Sequence, residues 1–122
     1  MLLNDSQKAI IMSTLKDQLK MMPAFLNHNT LSNLEAGKIS HMLNVSEGIL
    51  DYLSETDRRE FDFSEEQLAV IVFGLTSFAE TCQQLLGEEE KIAEIDEEIN
   101  HMIKTMLKTT LDALAAIFPY LL

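Results

Sequence analysis

Tryptophan is absent from this chain of 122 residues, and cysteine, proline and glycine are scarce, at one, two and four residues. Each shortage excludes something. A single cysteine, Cys82, rules out an intrachain disulfide and with it the small secreted scaffolds that depend on such bridges; it fits a reducing compartment. So few turn-forming residues disfavour a sandwich or barrel, which needs a turn every few residues. The opening "MLLNDSQKAI" has no basic stretch followed by a long apolar one, so no signal peptide is expected. The longest apolar-rich run, "LAVIVFGLTSFA" at residues 68–79, is too short to span a bilayer and reads as a core helix. The expected location is the cytoplasm, with no membrane partner.

Positive charge is also scarce. Nine Lys and Arg face twenty Asp and Glu, for a net charge of −11. The imbalance is uneven. Residues 1–50 sum to zero: Lys8, Lys16, Lys20 and Lys38 offset Asp5, Asp17, Glu35 and Glu47. The whole excess lies in residues 51–122. Such a surface repels nucleic acid and anionic membranes and attracts basic partners.

What is present is helical periodicity, with 47% apolar residues, enough to build a core. Four segments carry it. The first spans 4–22: Asn4 is placed to cap it, Gln7 stands three residues on, and Ile11, Leu15, Leu19 and Met22 share a face. Pro23 is expected to end it. The second opens with Ser32 and Glu35 as a capping box and carries Ile39, Met42, Leu43, Ser46, Ile49, Leu50 and Leu53 in unbroken three-four spacing. After a charged, aperiodic stretch at 54–62, Ser64 and Gln67 form another box; the third helix then runs to Leu86, with Gly87 as its C-cap. The fourth starts in "EEEK" and runs to about Ile117, where Pro119 stops it. The expected fold is all-α: one domain over 1–122, an antiparallel four-helix bundle with a long C-terminal helix, and dimeric.

Residues 38–53, "KISHMLNVSEGILDYL", resemble a helix-turn-helix DNA reader with its turn at Asn44–Ser46. The charge argues against that function. The reading helix would present Glu47, Asp51 and Glu55, and no Lys or Arg occurs between Lys38 and Arg58. One continuous amphipathic helix explains the same spacing, so no direct nucleic-acid partner is expected.

Catalytic and metal signals are thin. Glu98 and His101 make one Glu-x-x-His pair, the spacing used in carboxylate-bridged di-iron bundles, but such sites need two pairs and two further inward carboxylates. His28 and His41 lack partners at ligand spacing. Cys82 reads as a small buried hydrophobe. No glycine-rich phosphate loop or Gly-x-Ser-x-Gly elbow occurs. The expectation is a non-enzymatic protein with no cofactor and no metal, acting through protein–protein contacts as adaptor, chaperone or regulator. The alternatives are an acidic decoy that blocks a basic, nucleic-acid-binding protein, and a metal-binding bundle.

Two surfaces are candidates for such contacts. Seven acids fall within residues 88–98. Helix starts favour negative charge, yet so dense a run also offers a docking surface, in Glu88, Glu89, Glu90, Glu94, Glu97 and Glu98, for a basic partner. The second surface is apolar. A fourth helix of about 30 residues would outrun its neighbours by about 15 Å. Its far half, Met106, Leu107, Leu111, Leu114, Ile117 and Phe118, continuing into Tyr120 and Leu121, is expected to form a homodimer interface.

Overall fold

In a computed structural model, residues 1–28, 32–55, 58–89 and 97–121 are described, with side chains for 1–23, 32–55, 58–87 and 97–121. Four α-helices account for most of them: α1 (Asp5–His28), α2 (Asn33–Leu53), α3 (Glu65–Glu89) and α4 (Glu97–Ile117). A short 3-10 helix, Phe118–Tyr120, follows α4. The described residues contain no strand, only an isolated antiparallel bridge between Leu2 and Glu60. The chain is all-α.

The helix starts follow from their caps. The Gln7 amide donates to Asn4 Oδ1 at 2.8 Å, and the Asn4 amide donates back to Gln7 Oε1 at 3.0 Å. Ser64 and Gln67 repeat this reciprocal pair at the start of α3, at 3.2 and 2.9 Å. Ser32 Oγ accepts from the Glu35 amide at 3.1 Å, but its hydroxyl donates to Glu35 Oε1, so the return arm closes on the side chain instead of on the Ser32 amide. Each pair satisfies orphan amides of the first turn. Ser64→Ala is expected to lower the stability of the fold by about 1 kcal/mol. Urea denaturation checks this, and an unchanged midpoint would mean that the cap contributes nothing.

The helix ends depart from expectation. α1 does not stop at Pro23; it continues to His28. The ring removes one amide donor, the one owed to the Leu19 carbonyl, but it holds φ near the helical value, so the lost bond is local. α3 runs past Gly87 to Glu89, and Gly87 does not adopt the left-handed conformation of a C-cap. Glu88 and Glu89 thus close α3 instead of opening the fourth helix. The described part of α4 has 21 residues, against 24, 21 and 25 for α1, α2 and α3. Residues 90–96, also expected in it, lie outside the described residues. The far end of α4 is as anticipated: it stops at Ile117, and Pro119 sits in the 3-10 turn.

α2 is uninterrupted across Asn44–Ser46, so the helix-turn-helix spacing belongs to one continuous amphipathic helix. Its stripe turns inward. Ser46, Ile49 and Leu53 are fully buried, and Ile39, Met42, Leu43 and Leu50 are half-buried. The Ser46 hydroxyl is satisfied within the helix, donating to the Met42 carbonyl at 2.9 Å.

One contiguous core joins the helices: Ile11 and Leu15 of α1, Ile49 and Leu53 of α2, Leu68, Ile71 and Leu75 of α3, and Ala113, Leu114 and Ile117 of α4. α1 touches all three other helices, as does α3. Among the described residues, α2 and α4 do not meet. The helices therefore pack with α1 and α3 across a short diagonal and α2 and α4 at the outer corners. Judged by length and composition, α3 is apolar enough over Glu65–Gly87 to cross a membrane. Its Leu68, Val70, Ile71 and Leu75, however, lie in the core shared with the other helices, the setting of a buried core helix.

Residues 58–63, between α2 and α3, are more tightly held than their charge suggests. Phe61 is buried, stacked on Phe63 and edge-on to Tyr52 at centroid distances of 5.7 and 5.1 Å. Leu3 N donates to the Arg59 carbonyl at 2.9 Å, and Phe61 N to the Met1 carbonyl at 2.8 Å. Lys8 Nζ reaches the carbonyls of Glu55 and Arg58 and lies over the Phe61 ring. The first residues of the chain and the 58–63 segment are thus fastened to each other over the base of the core.

Candidate interaction surfaces

The helix-four residues expected at an interface divide into two sets. Leu114 and Ile117 belong to the chain's own core, because the same face of α4 that carries Ile103, Thr110 and Ala113 is turned onto α3 and α1. Those two side chains are not available to a partner. Met106 and Leu107 are half-buried. The apolar surface left in water is Leu111, 47% exposed, with Phe118, Tyr120 and Leu121 at 55%, 53% and 41%. Four large apolar side chains within eleven residues (111–121) form a concentration of the kind that soluble monomers usually bury.

Helical geometry explains the division. At 100° per residue Leu107 and Leu111 stand to one side of the Ile103–Thr110–Leu114–Ile117 line, and Phe118 returns to that flank. Pro119 then turns the chain into the 3-10 helix, where Tyr120 and Leu121 continue the exposed patch.

Of the acidic docking residues, Glu97 and Glu98 are described and exposed, in the first turn of α4. The side chains of Glu88 and Glu89, and Glu90 and Glu94 altogether, lie outside the described set. His101 is exposed on the same helix as Glu98. Ile99 and Met102, next to that pair in the sequence, are about half exposed, 48% and 57%. His41 is exposed and its Nε2 pairs with Glu66 Oε1, linking α2 to the start of α3. The side chain of His28 is outside the described set. Cys82 is buried, and burial pushes its thiol pKa up, away from the thiolate that a nucleophile requires.

Other apolar residues are exposed outside the two expected surfaces. Met21 and Leu34 are each 69% exposed, and Phe73 and Leu85 are also open. Met22, Lys38, Ile39, Met42 and Phe73 line a shallow, almost wholly apolar hollow of about 310 Å³. A second hollow, of about 370 Å³, lies where α1 meets α3, between the stripe Thr14, Asp17, Gln18 and Met21 and the stripe Gly74, Ser77, Phe78 and Thr81. Gln18 is among the lining residues, but its side-chain nitrogen and oxygen are both buried, without a hydrogen-bond partner. The apolar stripe of α1 drew attention to Ile11, Leu15, Leu19 and Met22 and away from Gln18. The available signal was Gly74 in the middle of an apolar helix, which marks a close approach.

Comparison with known proteins adds no relationship: no family model matches the chain, and neither a characterised protein nor a solved structure matches it significantly.

Proposed function

We propose that this chain is a non-catalytic, acidic helical protein that works through protein–protein contacts, as an adaptor, chaperone or regulator in the cytoplasm, and that its working form is a homodimer of antiparallel four-helix bundles. The observation that carries the reading is the exposed patch of Leu111, Phe118, Tyr120 and Leu121. Burying such side chains against a partner stabilises the complex by about 25 cal/mol per Å² of apolar area.

The antiparallel arrangement is supported by the composition of the core. It draws on the first half of α1, the second half of α2, the first half of α3 and the second half of α4, the set that alternating up and down helices bring to one end. Charge is compatible with pairing through the far end of α4. Glu97 stands fourteen residues before Leu111, about 21 Å along the helix, and exposed charges that far apart are screened beyond a Debye length of about 8 Å.

The acidic excess of residues 51–122 favours a second reading, a decoy that occupies a basic nucleic-acid-binding surface. Salt separates the two. Partners captured from native lysate on the immobilised chain should survive a rise from about 0.1 M to about 1 M salt if docking is apolar, whereas decoy binding collapses with screening. Loss of every partner at the higher salt would replace the first reading by the second, and no partner at either salt would remove both. The chain itself is expected to give no shift of duplex DNA in a mobility assay at physiological salt, because the exposed side of α2 offers Glu47 and Asp51. A specific shift there would contradict the reading.

A further inference from the structure

The core draws on the first halves of α1 and α3 and the second halves of α2 and α4. The remaining halves leave large apolar side chains in water: Met21 of α1, Leu34 of α2, Leu85 of α3, and Ile99 and Met102 of α4. The hollow of about 310 Å³ opens where α1, α2 and α3 meet, lined by Met22, Lys38, Ile39, Met42 and Phe73. Four of these five side chains are apolar, and Phe73 is 49% exposed. No residue of α4 contributes to it.

The lining decides what fits. Its walls offer a visitor almost no hydrogen bond, so an extended peptide would bury amides and carbonyls unpaired. The described residues present no strand edge there to take them up; their one β pairing, Leu2 with Glu60, involves other residues. A helix satisfies its own backbone and lays only side chains into a groove. A small ligand would lack the converging polar groups that fix its orientation. A nucleic acid or an anionic membrane meets a net charge of −11. The unbranched side chains of Met22 and Met42 re-pack readily around apolar anchors. A volume of about 310 Å³ holds roughly two groups the size of benzene, for which about 150 Å³ suffices. Two anchors four residues apart on one helix stand one above the other.

Charge completes the match. Lys38 is the one charged residue of the lining, and it is exposed. Among the described residues no acid pairs with it. Glu35, three residues earlier on α2, holds the Ser32 hydroxyl instead. In a chain with twenty acids, this ammonium at the rim of an apolar hollow is left for a carboxylate from outside.

We propose that the hollow is the docking site of an amphipathic helix from a partner protein, with two apolar anchors one turn apart and a carboxylate beside them that pairs with Lys38. The assignment rests on the reading that the chain works through protein contacts, and it names the chemistry of the partner. The hollow and the seam at the end of α4 share no residue, so the mass of the chain bears on the seam alone and the methyl signals of Met22 and Met42 on the hollow.

The probes are two blocked helical peptides of identical composition, built from leucine, glutamate and lysine. In one, glutamates border the leucine stripe and lysines occupy the outer face; in the other, the two charges are exchanged. Equal net charge leaves only the local contact to tell them apart. Followed by ¹H–¹³C methyl spectroscopy, Met22 and Met42 should move saturably with the glutamate-bordered peptide. Its isomer should bind about threefold more weakly, the ratio expected of an exposed ion pair. Lys38→Glu, at an exposed position, should reverse that order. Phe73→Glu should abolish the response while the helical circular dichroism persists, and Lys38→Glu serves if that chain does not fold. Methyl signals unmoved by either peptide, equal binding of the two, an order unchanged by Lys38→Glu, or undiminished binding to a folded Phe73→Glu chain would overturn the proposal. So would movement of Met22 and Met42 with protein concentration alone, which would assign the hollow to a second copy of the chain.

Discussion

Truncating Phe61 to alanine should cost the fold about 3–5 kcal/mol. That is a large share of the about 5–15 kcal/mol that holds a domain of this size together. The ring is buried at 2% exposure, although it lies in a charged stretch between two helices. It stacks on Phe63, meets Tyr52 edge-on, carries Lys8 over its face and belongs to the same core as Ile11, Ile49 and Ile71. Its removal opens a cavity at the point where the first residues of the chain and the 58–63 segment are pinned together by the bonds from Leu3 and Phe61. Neighbouring Phe63, which is half-buried, is the comparison: Phe63→Ala should lose less. A urea midpoint for Phe61→Ala close to that of the unaltered chain would show that the aromatic cluster is a surface ornament and not part of the core.

The second large effect is on mass. Leu111→Glu together with Phe118→Glu should convert a dimer into a monomer without unfolding it. Both side chains are about half exposed, so the carboxylates remain solvated in the separated chain. In a paired form they would be driven, charged, into an apolar seam, where an unpaired ion costs several kcal/mol. The choice of residues matters. Leu114 lies three residues from Leu111 in the sequence but only 8% exposed in the core, so Leu114→Glu would destroy the fold whether or not a dimer exists. A doubly substituted chain that keeps its circular dichroism and still sediments as a dimer would place the seam elsewhere.

The parts of the fold legible in the sequence are those governed by short-range rules. Asn4 with Gln7, and Ser64 with Gln67, are capping pairs separated by three residues, and the structure contains both with both hydrogen bonds made. The α2 stripe is similarly local: three-four spacing placed Ser46, Ile49 and Leu53 on one side, and tertiary packing buried that side. Charge alone was enough to set aside the resemblance of residues 38–53 to a DNA reader, and an unbroken α2 agrees.

What was not legible depends on which neighbour a residue meets. Pro23 and Gly87 have intrinsic preferences of a few kcal/mol or less, and α1 and α3 run through them. Leu114 and Leu111 are indistinguishable by composition, and only the position of α3 and α1 around α4 decides that one is core and the other surface. Phe61 sits in no periodic stretch, so periodicity could not nominate it. Gln18 is polar on a helix whose apolar stripe was already complete. Its burial follows from the short α1–α3 diagonal and from Gly74 on the facing helix, a pairing across 56 positions of sequence.

Light scattering on the unaltered chain at micromolar concentration tests the proposed mode of action most directly. The expected mass is about twice the 13.8 kDa of one chain, held at high salt because the seam is apolar. A mass of 13.8 kDa across that concentration range would contradict self-association and leave Leu111, Phe118, Tyr120 and Leu121 without the partner assigned to them here.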